Sequence, residues 1–325
     1  MREDLLRELE REYEQIRSAN EQEENRRKEK IRTEKPEIYT LVQEREDLIF
    51  GTLRDILNGE ARTEELPERM EELSARIRIK LQEEGFPADY LAPIYRCPLC
   101  KDTGKTGELI KEPCICLKKA YQKKLRERIG LSGDRRESFE TFDLSVYPDE
   151  KIQGQKFTQR EIMQHYRAVC EKWANGYPNG MFRDLMLTGG TGLGKTFLLR
   201  AMAERLIERD INVLIISAYR MLEILRKSYF ENDESASELL ETEVLMIDDL
   251  GSEPLMQNVT VEQLFNLLNE RQNRRLSTVI STNLDMAKFR ERYTERIASR
   301  LRDSRFCKVL ILAGKDIRVG GGLKA

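Results

Sequence analysis

The sequence predicts an α/β protein whose second half forms a parallel sheet with helices on both faces, preceded by a helical region. Five short apolar runs recur between residues 184 and 313, in the order DLMLT, INVLIIS, VLMIDDL, STVISTN and CKVLILA. Stretches with helical periodicity separate these runs. Continuous apolar strands joined by helices are typical of a parallel sheet that is buried on both faces.

Residues 1–92 are predicted to form a helical region that binds a partner. The first 34 residues are almost all charged or polar, and their apolar seam is short. A solvated helix and a coiled-coil helix are both open, because a coiled coil needs a seam of three or more heptads. Pro36 opens a second helix, and a third runs from about Glu64 to Gly85. Three such helices bury only a thin core, which a partner or a neighbouring domain would complete.

A cysteine module and a basic helix are predicted at residues 93–130. Cys97 and Cys100 form a C-x-x-C pair, and Cys114 and Cys116 form a C-x-C pair after a Thr- and Gly-rich insert. Two cysteine pairs on turns are typical of a structural Zn²⁺ site in a small ribbon; a redox pair and unliganded thiols are the alternatives. The basic residues between 118 and 128 fit contact with a phosphate backbone as well as they fit a solvated helix face.

Composition limits the function classes. The net charge of −2 gives no global attraction to nucleic acid, so any such contact depends on local basic patches. The sequence has neither a membrane-spanning apolar stretch nor a signal peptide, and its six cysteines favour a reducing cytoplasm. His165 is the single histidine, which excludes Ser-His-Asp and Cys-His mechanisms unless His165 itself takes part.

A phosphate-binding loop follows the first strand of the second half. GGTGLGKT matches G-x-x-x-x-G-K-[ST] at every fixed position and opens the helix KTFLLRAMAERL. Such a loop points backbone N–H groups at phosphate oxygens. Lys195 is predicted to reach the β- and γ-phosphates of ATP, and the Thr196 hydroxyl to bind Mg²⁺. The predicted nucleotide-binding residues of the loop are Gly189, Gly190, Thr191, Gly192, Leu193, Gly194, Lys195 and Thr196.

Two later strand ends bring polar groups to the same edge of the sheet. VLMIDDLG places Asp248 to hold Mg²⁺ and Asp249 to orient the attacking water, although Asp249 could instead cap the next turn. STN ends the following strand at Asn283, which is interpreted as a sensor of the γ-phosphate. The arginine-rich segment YTERIASRLRDSR comes next, and one of its arginines could neutralise charge on a neighbouring subunit's γ-phosphate.

Together with ESFETFDLS, these motifs resemble the DnaC/DnaI/IstB-like AAA+ ATPases over roughly residues 137–318. The resemblance implies an AAA+ domain at 137–318. The short glycine-rich tail at 319–325 is expected to be flexible, and its length indicates that the C-terminal lid of larger AAA+ proteins is missing. The resemblance also implies that Arg300 is an arginine finger acting in trans and that Arg318 is a second phosphate sensor. Phe139 and Phe142 fall where members of the family shape the adenine pocket.

The resemblance further implies partners. The family includes loaders of the hexameric replicative DNA helicase, so the expected function is ATP-dependent loading of that helicase onto single-stranded DNA. The helical region and the zinc-bound module would contact the helicase, and the protein would assemble into a homo-oligomer on binding ATP. The segment 218–234 would face single-stranded DNA, although helix packing is an alternative use of its side chains: Tyr219, Arg220, Lys227, Tyr229 and Phe230.

Two other functions fit the same motifs. An IstB-like transposition helper shares the ATPase core, and the cysteine module is what favours a loader. A nucleotide-gated interaction protein would hydrolyse nothing, in which case Asp249, Asn283 and Arg300 would be bystanders.

Overall fold

A computed structural model of the chain describes residues 2–57, 66–107, 110–131, 137–231, 236–254 and 260–319. Internal contacts divide the chain into two compact units, residues 7–117 and residues 118–325 together with the first six. Over the described ranges, no helix is both long and apolar enough to cross a membrane. The tail predicted beyond residue 319 lies outside the described residues.

The first unit is helical, as predicted. It contains α1 (Arg2–Glu34) from residue 7 onward, α2 (Pro36–Leu57), α3 (Leu66–Glu83) and a two-stranded antiparallel ribbon of β1 (Lys105–Thr106) and β2 (Glu112–Pro113). The helices share one small core made of Ile31, Ile38, Val42, Ile77 and Leu81. The ribbon closes the insert between the two cysteine pairs, which is where the sequence predicts a hairpin.

The second unit is built around a five-stranded parallel sheet. Its strands are β3 (Asp184–Thr188), β4 (Val213–Ser217), β5 (Val244–Leu250), β6 (Ser277–Thr282) and β7 (Cys307–Ile311). Its helices are α5 (Gln159–Gly176), α6 (Lys195–Glu208), α7 (Ala218–Glu231), α8 (Ser237–Glu241), α9 (Thr260–Asn273) and α10 (Met286–Arg302). All five predicted strands are present, and they alternate with helices as the sequence indicates.

The strand order is β4-β5-β6-β3-β7, and every neighbouring pair is parallel. Strand β6 therefore lies between β3, which leads into the phosphate-binding loop, and β5, which ends in the acidic pair. Because parallel strands end at one edge, this order brings the three polar strand ends together. The pairing of β5 with β6 is irregular between Ile247 and Leu250, at the position of the two aspartates.

Helix α4 (Ile115–Arg128) continues from the cysteine module, but its residues from Lys118 onward belong to the second unit. The sequence grouped this basic helix with the cysteine module. The Arg126 guanidinium instead lies 2.9 Å from the Glu204 carboxylate of α6, and both side chains are largely buried. Arg126 is thereby neutralised by a carboxylate, which favours packing over a phosphate contact for this residue.

The amino edge of the sheet surrounds a fully buried arginine on α9. The Arg271 guanidinium donates to the carbonyls of Leu239, Thr242 and Ser277 at 2.7, 2.9 and 2.5 Å, and to the Thr278 hydroxyl at 3.1 Å. Burial lowers the pKa of Arg271 to about 10. This side chain ties α8 and the starts of β5 and β6 to α9, because each bonded carbonyl belongs to one of those segments or to their flanks.

Candidate nucleotide-binding site

The phosphate-binding loop joins β3 to α6, and two of its glycines are required by their surroundings. Gly192 has φ 64°, and a Cβ there would lie 1.7 Å from a carboxylate oxygen of Asp316. Gly194 has φ 86°, and a Cβ there would lie 2.3 Å from the Tyr147 hydroxyl. The left-handed backbone disfavours other residue types, and a side chain there would also have to displace Asp316 or Tyr147. The loop is therefore covered by two segments that its own motif does not reveal.

The Lys195 ammonium is held inside the loop. It donates to the carbonyls of Gly189 and Gly190 at 2.8 and 2.5 Å and to Asn283 Oδ1 at 2.7 Å. Burial lowers the pKa of Lys195, and the carboxylates of Asp249 and Asp248 oppose this shift. These three acceptors match the three donor hydrogens of the ammonium group. The bond to Asn283 places the ammonium group beside the end of β6.

The two aspartates at the end of β5 are tied to the end of β6 by Ser281. Its hydroxyl donates to Asp248 Oδ1 at 2.5 Å and accepts the backbone N–H of Asp249 at 2.8 Å. The sequence predicts a role for Asn283 at this strand end and none for Ser281. The sequence shows only a hydroxyl near the end of the strand that follows the acidic strand. The strand order adds that these two strands are neighbours, so that the hydroxyl reaches the aspartates.

Asp248 and Asp249 take different partners. Thr196 Oγ1 lies 3.2 Å from Asp248 Oδ1, whereas the Asn283 amide donates to Asp249 Oδ1. The hydroxyl and carboxylate oxygens of the first pair are the oxygen ligands that Mg²⁺ prefers. The residues present therefore fit a magnesium nucleotide, for which Thr196 and Asp248 would hold the metal and Lys195 would contact the phosphates.

A C-terminal segment and Tyr147 flank the loop. The Ile317 N–H donates to the Gly192 carbonyl at 3.1 Å, and the Arg318 N–H donates to Asp316 Oδ1 at 2.8 Å. The Arg318 guanidinium is one of the charges that lower the pKa of Lys195, after burial. The predicted second phosphate sensor thus lies on a segment that contacts the loop.

A cavity of about 660 Å³ lies beside the loop. It is lined by Ser145, Val146, Tyr147, Pro148, Arg160, Lys315, Asp316, Ile317 and Val319. Phe139 and Phe142, expected to shape an adenine pocket, are not in this lining. Phe139 is 1% exposed, and Phe142 stacks on Tyr147 with ring centroids 5.7 Å apart. Phe142 therefore supports the residue that lines the cavity.

Comparison with known proteins assigns this region. Residues 180–319 match the model of the IstB-like ATP binding protein family. The replicative helicase loader DnaI of Bacillus subtilis (strain 168) is 26% identical over 168 residues, which are 50% of this chain and 54% of the relative. The replicative helicase loader DnaC of Escherichia coli (strain K12) is 24% identical over 154 residues, which are 43% of this chain and 62% of the relative.

Residues 180–319 form an IstB-like ATP-binding domain, and these relatives support a DnaC/DnaI/IstB-like AAA+ ATPase. Similarity also extends to the chromosomal replication initiator protein DnaA of Ruegeria sp. (strain TM1040), which is 30% identical over 49% of this chain and 34% of the relative. A crystal structure of DnaI aligns with a TM-score of 0.45 at 25% identity, over 61% of this chain and 99% of that chain. The matches cover less than two thirds of the length of these curated relatives.

Within this AAA+ region, Arg300 lies apart from the residues above. Its guanidinium donates to Gln272 Oε1 at 2.8 Å and lies 4.8 Å from the centre of the Phe265 ring, both on α9. Arg296 lies over the same ring at 4.3 Å. Of the hydrogen bonds that the described residues make, none joins Arg300 to the phosphate-binding loop. The structure thus brings together the loop, Asp248, Asp249 and Asn283, and leaves Arg300 outside that group.

The four cysteines of the first unit form a separate cluster. The sulfurs of Cys97, Cys100, Cys114 and Cys116 all lie within 4.8 Å of one another. The buried Asp102 carboxylate accepts the backbone N–H groups of Arg96 and Cys97 and the side-chain amide of Asn20 at 2.9, 2.7 and 2.9 Å. The sequence does not predict this role for Asp102, because one of several acidic residues between the cysteine pairs carries no pattern.

Proposed function

We propose that the chain is an ATP-dependent loader that places a replicative DNA helicase on single-stranded DNA. The observation that supports this most is the group formed at the carboxyl edge of the sheet, where Asn283 joins Lys195 to Asp249. Through this link, a change at the γ-phosphate that moves Lys195 would also move Asn283 and therefore Asp249, the proposed water-orienting residue. The relatives named above as replicative helicase loaders supply the partner class.

In this proposal the reaction is hydrolysis of ATP to ADP and phosphate. Lys195 and the loop amides bind the phosphates, and Thr196 and Asp248 hold Mg²⁺, which supplies charge neutralisation at the transferred phosphoryl group. Asp249 accepts a hydrogen bond from the attacking water and orients it. Asn283 gives up Lys195 to the nucleotide and keeps Asp249 in place. Phosphate release with and without single-stranded DNA tests the reaction, and no release under either condition leaves a nucleotide-gated interaction protein.

Arg300 is proposed to act on a neighbouring subunit when the protein assembles on ATP. Its contacts with Phe265 and Gln272 hold the guanidinium on α9, so it is fixed in direction without touching its own Lys195. A guanidinium offered to a neighbour's γ-phosphate accelerates hydrolysis by about 10³–10⁵-fold.

The Arg300→Ala variant tests this assignment. It should bind ATP with nearly unchanged affinity and lose hydrolysis, and mixing it with Lys195→Ala subunits should restore part of the activity. Arg296→Ala is the matched control, because Arg296 also lies over the Phe265 ring and is one turn earlier on α10. Loss of ATP binding by Arg300→Ala, or mixed oligomers without recovered activity, would refute a role in trans.

The cysteine cluster is proposed to hold one structural Zn²⁺. Four thiolates around Zn²⁺ at about 2.3 Å form a tetrahedron with edges of about 3.8 Å. The pairs Cys97–Cys114 and Cys100–Cys116 have sulfurs 3.8 and 3.4 Å apart, and all four sulfurs lie within 4.8 Å of one another, so small shifts would bring them onto one ion. The Asp102 contacts and a hydrogen bond from Tyr13 to Cys116 support the ligands from α1 and the turn.

Metal analysis of the purified, unchelated protein should find close to one zinc per chain. Replacement of Cys97 and Cys100 by Ser should remove it, and replacement of the buried core residue Cys170 by Ala should not. Zinc-free protein with reduced thiols would contradict the proposal.

The two units are proposed to have different partners. In the first unit Leu99, Ile110 and Ile115 expose 70, 77 and 56% of their surface beside the cysteine cluster, which suits docking on the helicase. In the second unit Tyr219 and Arg220 of α7 are exposed, which suits stacking on and neutralising single-stranded DNA. The Tyr229 and Phe230 side chains lie outside the described residues.

Binding assays separate these surfaces. Leu99→Asp should weaken helicase binding and leave DNA binding intact, and Tyr219→Ala should weaken DNA binding by roughly 1–3 kcal/mol while sparing the helicase. The IstB-like family match favours one second candidate, a transposition helper. Capture of a transposase–DNA complex in place of a helicase would support that candidate.

A further inference from the structure

A buried carboxylate follows the acidic strand, and none of the functions above uses it. Glu253 lies in the turn after β5, its residue is 1% exposed, and its side chain is fully buried. A charged group in such a place is costly unless it is hydrogen bonded and paired. The partners of Glu253 therefore indicate what it stabilises.

One partner belongs to the turn that carries Asp249. Glu253 Oε2 accepts the backbone N–H of Gly251 at 2.8 Å. The same turn is closed by Ser252, whose N–H and hydroxyl both donate to the Asp249 carbonyl at 3.2 and 2.8 Å. The backbone of Asp249 is left-handed, with φ 59°. A non-glycine residue keeps such a conformation only where its surroundings hold it.

The other partners belong to α10. Glu253 Oε1 accepts the hydroxyl of Tyr293, which is fully buried, and lies 3.6 Å from the Arg292 guanidinium. The Arg292 guanidinium also donates to the Glu253 carbonyl. The helix is interrupted immediately afterwards, at Thr294, where φ is 71°. One carboxylate thus connects the turn after Asp249 to the point where α10 changes direction.

We propose that Glu253 is a positioning residue for ATP hydrolysis, which holds the Asp249 turn against Tyr293 of α10 so that Asp249 stays aimed at the attacking water. This inference rests on the proposed ATPase function. Glu253 touches no nucleotide in this scheme, so its loss should slow the chemical step and leave nucleotide binding intact. Because Arg300 lies further along α10, the same contact relates the water-orienting residue to the helix that carries the proposed finger.

The test compares two Tyr→Phe variants that each remove one buried hydroxyl. Tyr293→Phe removes the hydroxyl that donates to Glu253. Tyr177→Phe, the matched control, removes a hydroxyl that donates to the Glu243 carbonyl at 3.4 Å near the amino edge of the sheet. Tyr293→Phe should lower kcat about 10-fold, an effect of the size found when a residue that orients a metal ligand is removed. KM and the affinity for a fluorescent ATP analogue should stay within about 2-fold of the wild type. Tyr177→Phe should leave kcat, KM and affinity unchanged.

Two further variants grade the effect. Glu253→Gln keeps the shape and at least one acceptor and should recover more activity than Glu253→Ala. If Glu253→Ala does not fold, the activities of Glu253→Gln and Tyr293→Phe still test the positioning role. Equal kcat in Tyr293→Phe and wild type would overturn the positioning role and leave the ATPase function standing.

A second readout does not need hydrolysis. Hydrogen exchange of the Gly251 amide, measured in the full-length protein without nucleotide, should be faster in Tyr293→Phe than in wild type and unchanged in Tyr177→Phe. If the wild type releases no phosphate under any condition, the proposed hydrolysis fails. Unchanged Gly251 exchange in Tyr293→Phe would then overturn the link between Glu253 and the turn, and faster exchange would uphold it.

Discussion

The two edges of the parallel sheet each hold a buried cation, and they use it differently. Arg271 lies at the amino edge and Lys195 at the carboxyl edge. Burial lowers the pKa of both side chains. Both also donate to backbone carbonyls at hydrogen-bonding distance. Burial and hydrogen bonding alone therefore do not distinguish a structural cation from a functional one.

The difference lies in the partners. The carbonyls that Arg271 bonds belong to α8, to the turns before β5 and to the start of β6, which the sheet holds in place. The acceptors of Lys195 are two loop carbonyls and the Asn283 side chain, which can exchange the ammonium for phosphate oxygens. A buried cation is thus structural when its partners are fixed and is available to a ligand when they belong to a loop.

The largest effect on folding is expected at the amino edge. Arg271→Met should lower the free energy of unfolding by about 3–5 kcal/mol, because several buried carbonyls lose their donor together. Nucleotide affinity of the folded fraction should stay unchanged. Urea unfolding measures the loss, and a loss below about 1 kcal/mol would show that the two edges do not differ as described.

The second effect is expected at the carboxyl edge, where nucleotide binding should change strongly and stability should change little. Lys195→Ala should weaken ATP binding by at least about 100-fold, roughly 2.7 kcal/mol, because it removes the charge that the phosphates meet. The free energy of unfolding should change by less than about 1 kcal/mol, since burial already disfavours the charged form. Fluorescent-nucleotide titration and urea unfolding of the same preparation measure both quantities. Wild-type hydrolysis in this variant would contradict the site.

The smallest effect is expected on the Mg²⁺ dependence of phosphate release, and it differs between the two ends of β6. Ser281→Ala should raise the Mg²⁺ concentration needed for half-maximal phosphate release about 10-fold, because Asp248 loses the hydroxyl that orients it. Ser277→Ala, the same change at the amino end of β6, should leave that concentration unchanged. A Mg²⁺ titration of both variants decides, and equal shifts would mean that Ser281 does not support the metal site.

Much of the fold was predictable because its signals are local. The five apolar runs became β3 to β7, and Pro36 opened α2 as expected for its fixed φ. The phosphate-binding loop stands between a strand and a helix, where its motif requires it. The expected place of α4 differs, since the pairing of Arg126 with Glu204 depends on a helix far along the chain.

The supporting residues of the site carried no local signal. Ser281, Glu253, Tyr147 and Asp316 act on residues from other segments, and each was an ordinary polar or aromatic residue in its own surroundings. In the sequence, Arg271 likewise cannot be distinguished from the solvent-exposed charges of an amphipathic helix. Their roles depend on tertiary contacts, many of which join segments distant in the chain, for example Tyr293 with Glu253.

The sequence by itself determined the helices and strands of this region and predicted its candidate site residues, because spacing along a strand or a loop is a property of the local backbone. Only the tertiary structure decided which side chains hold those groups in place. Strand order places β6 between the loop and the acidic strand, and register sets Ser281 beside both aspartates. Neither is written in any single segment, since both follow from how the segments pack against one another.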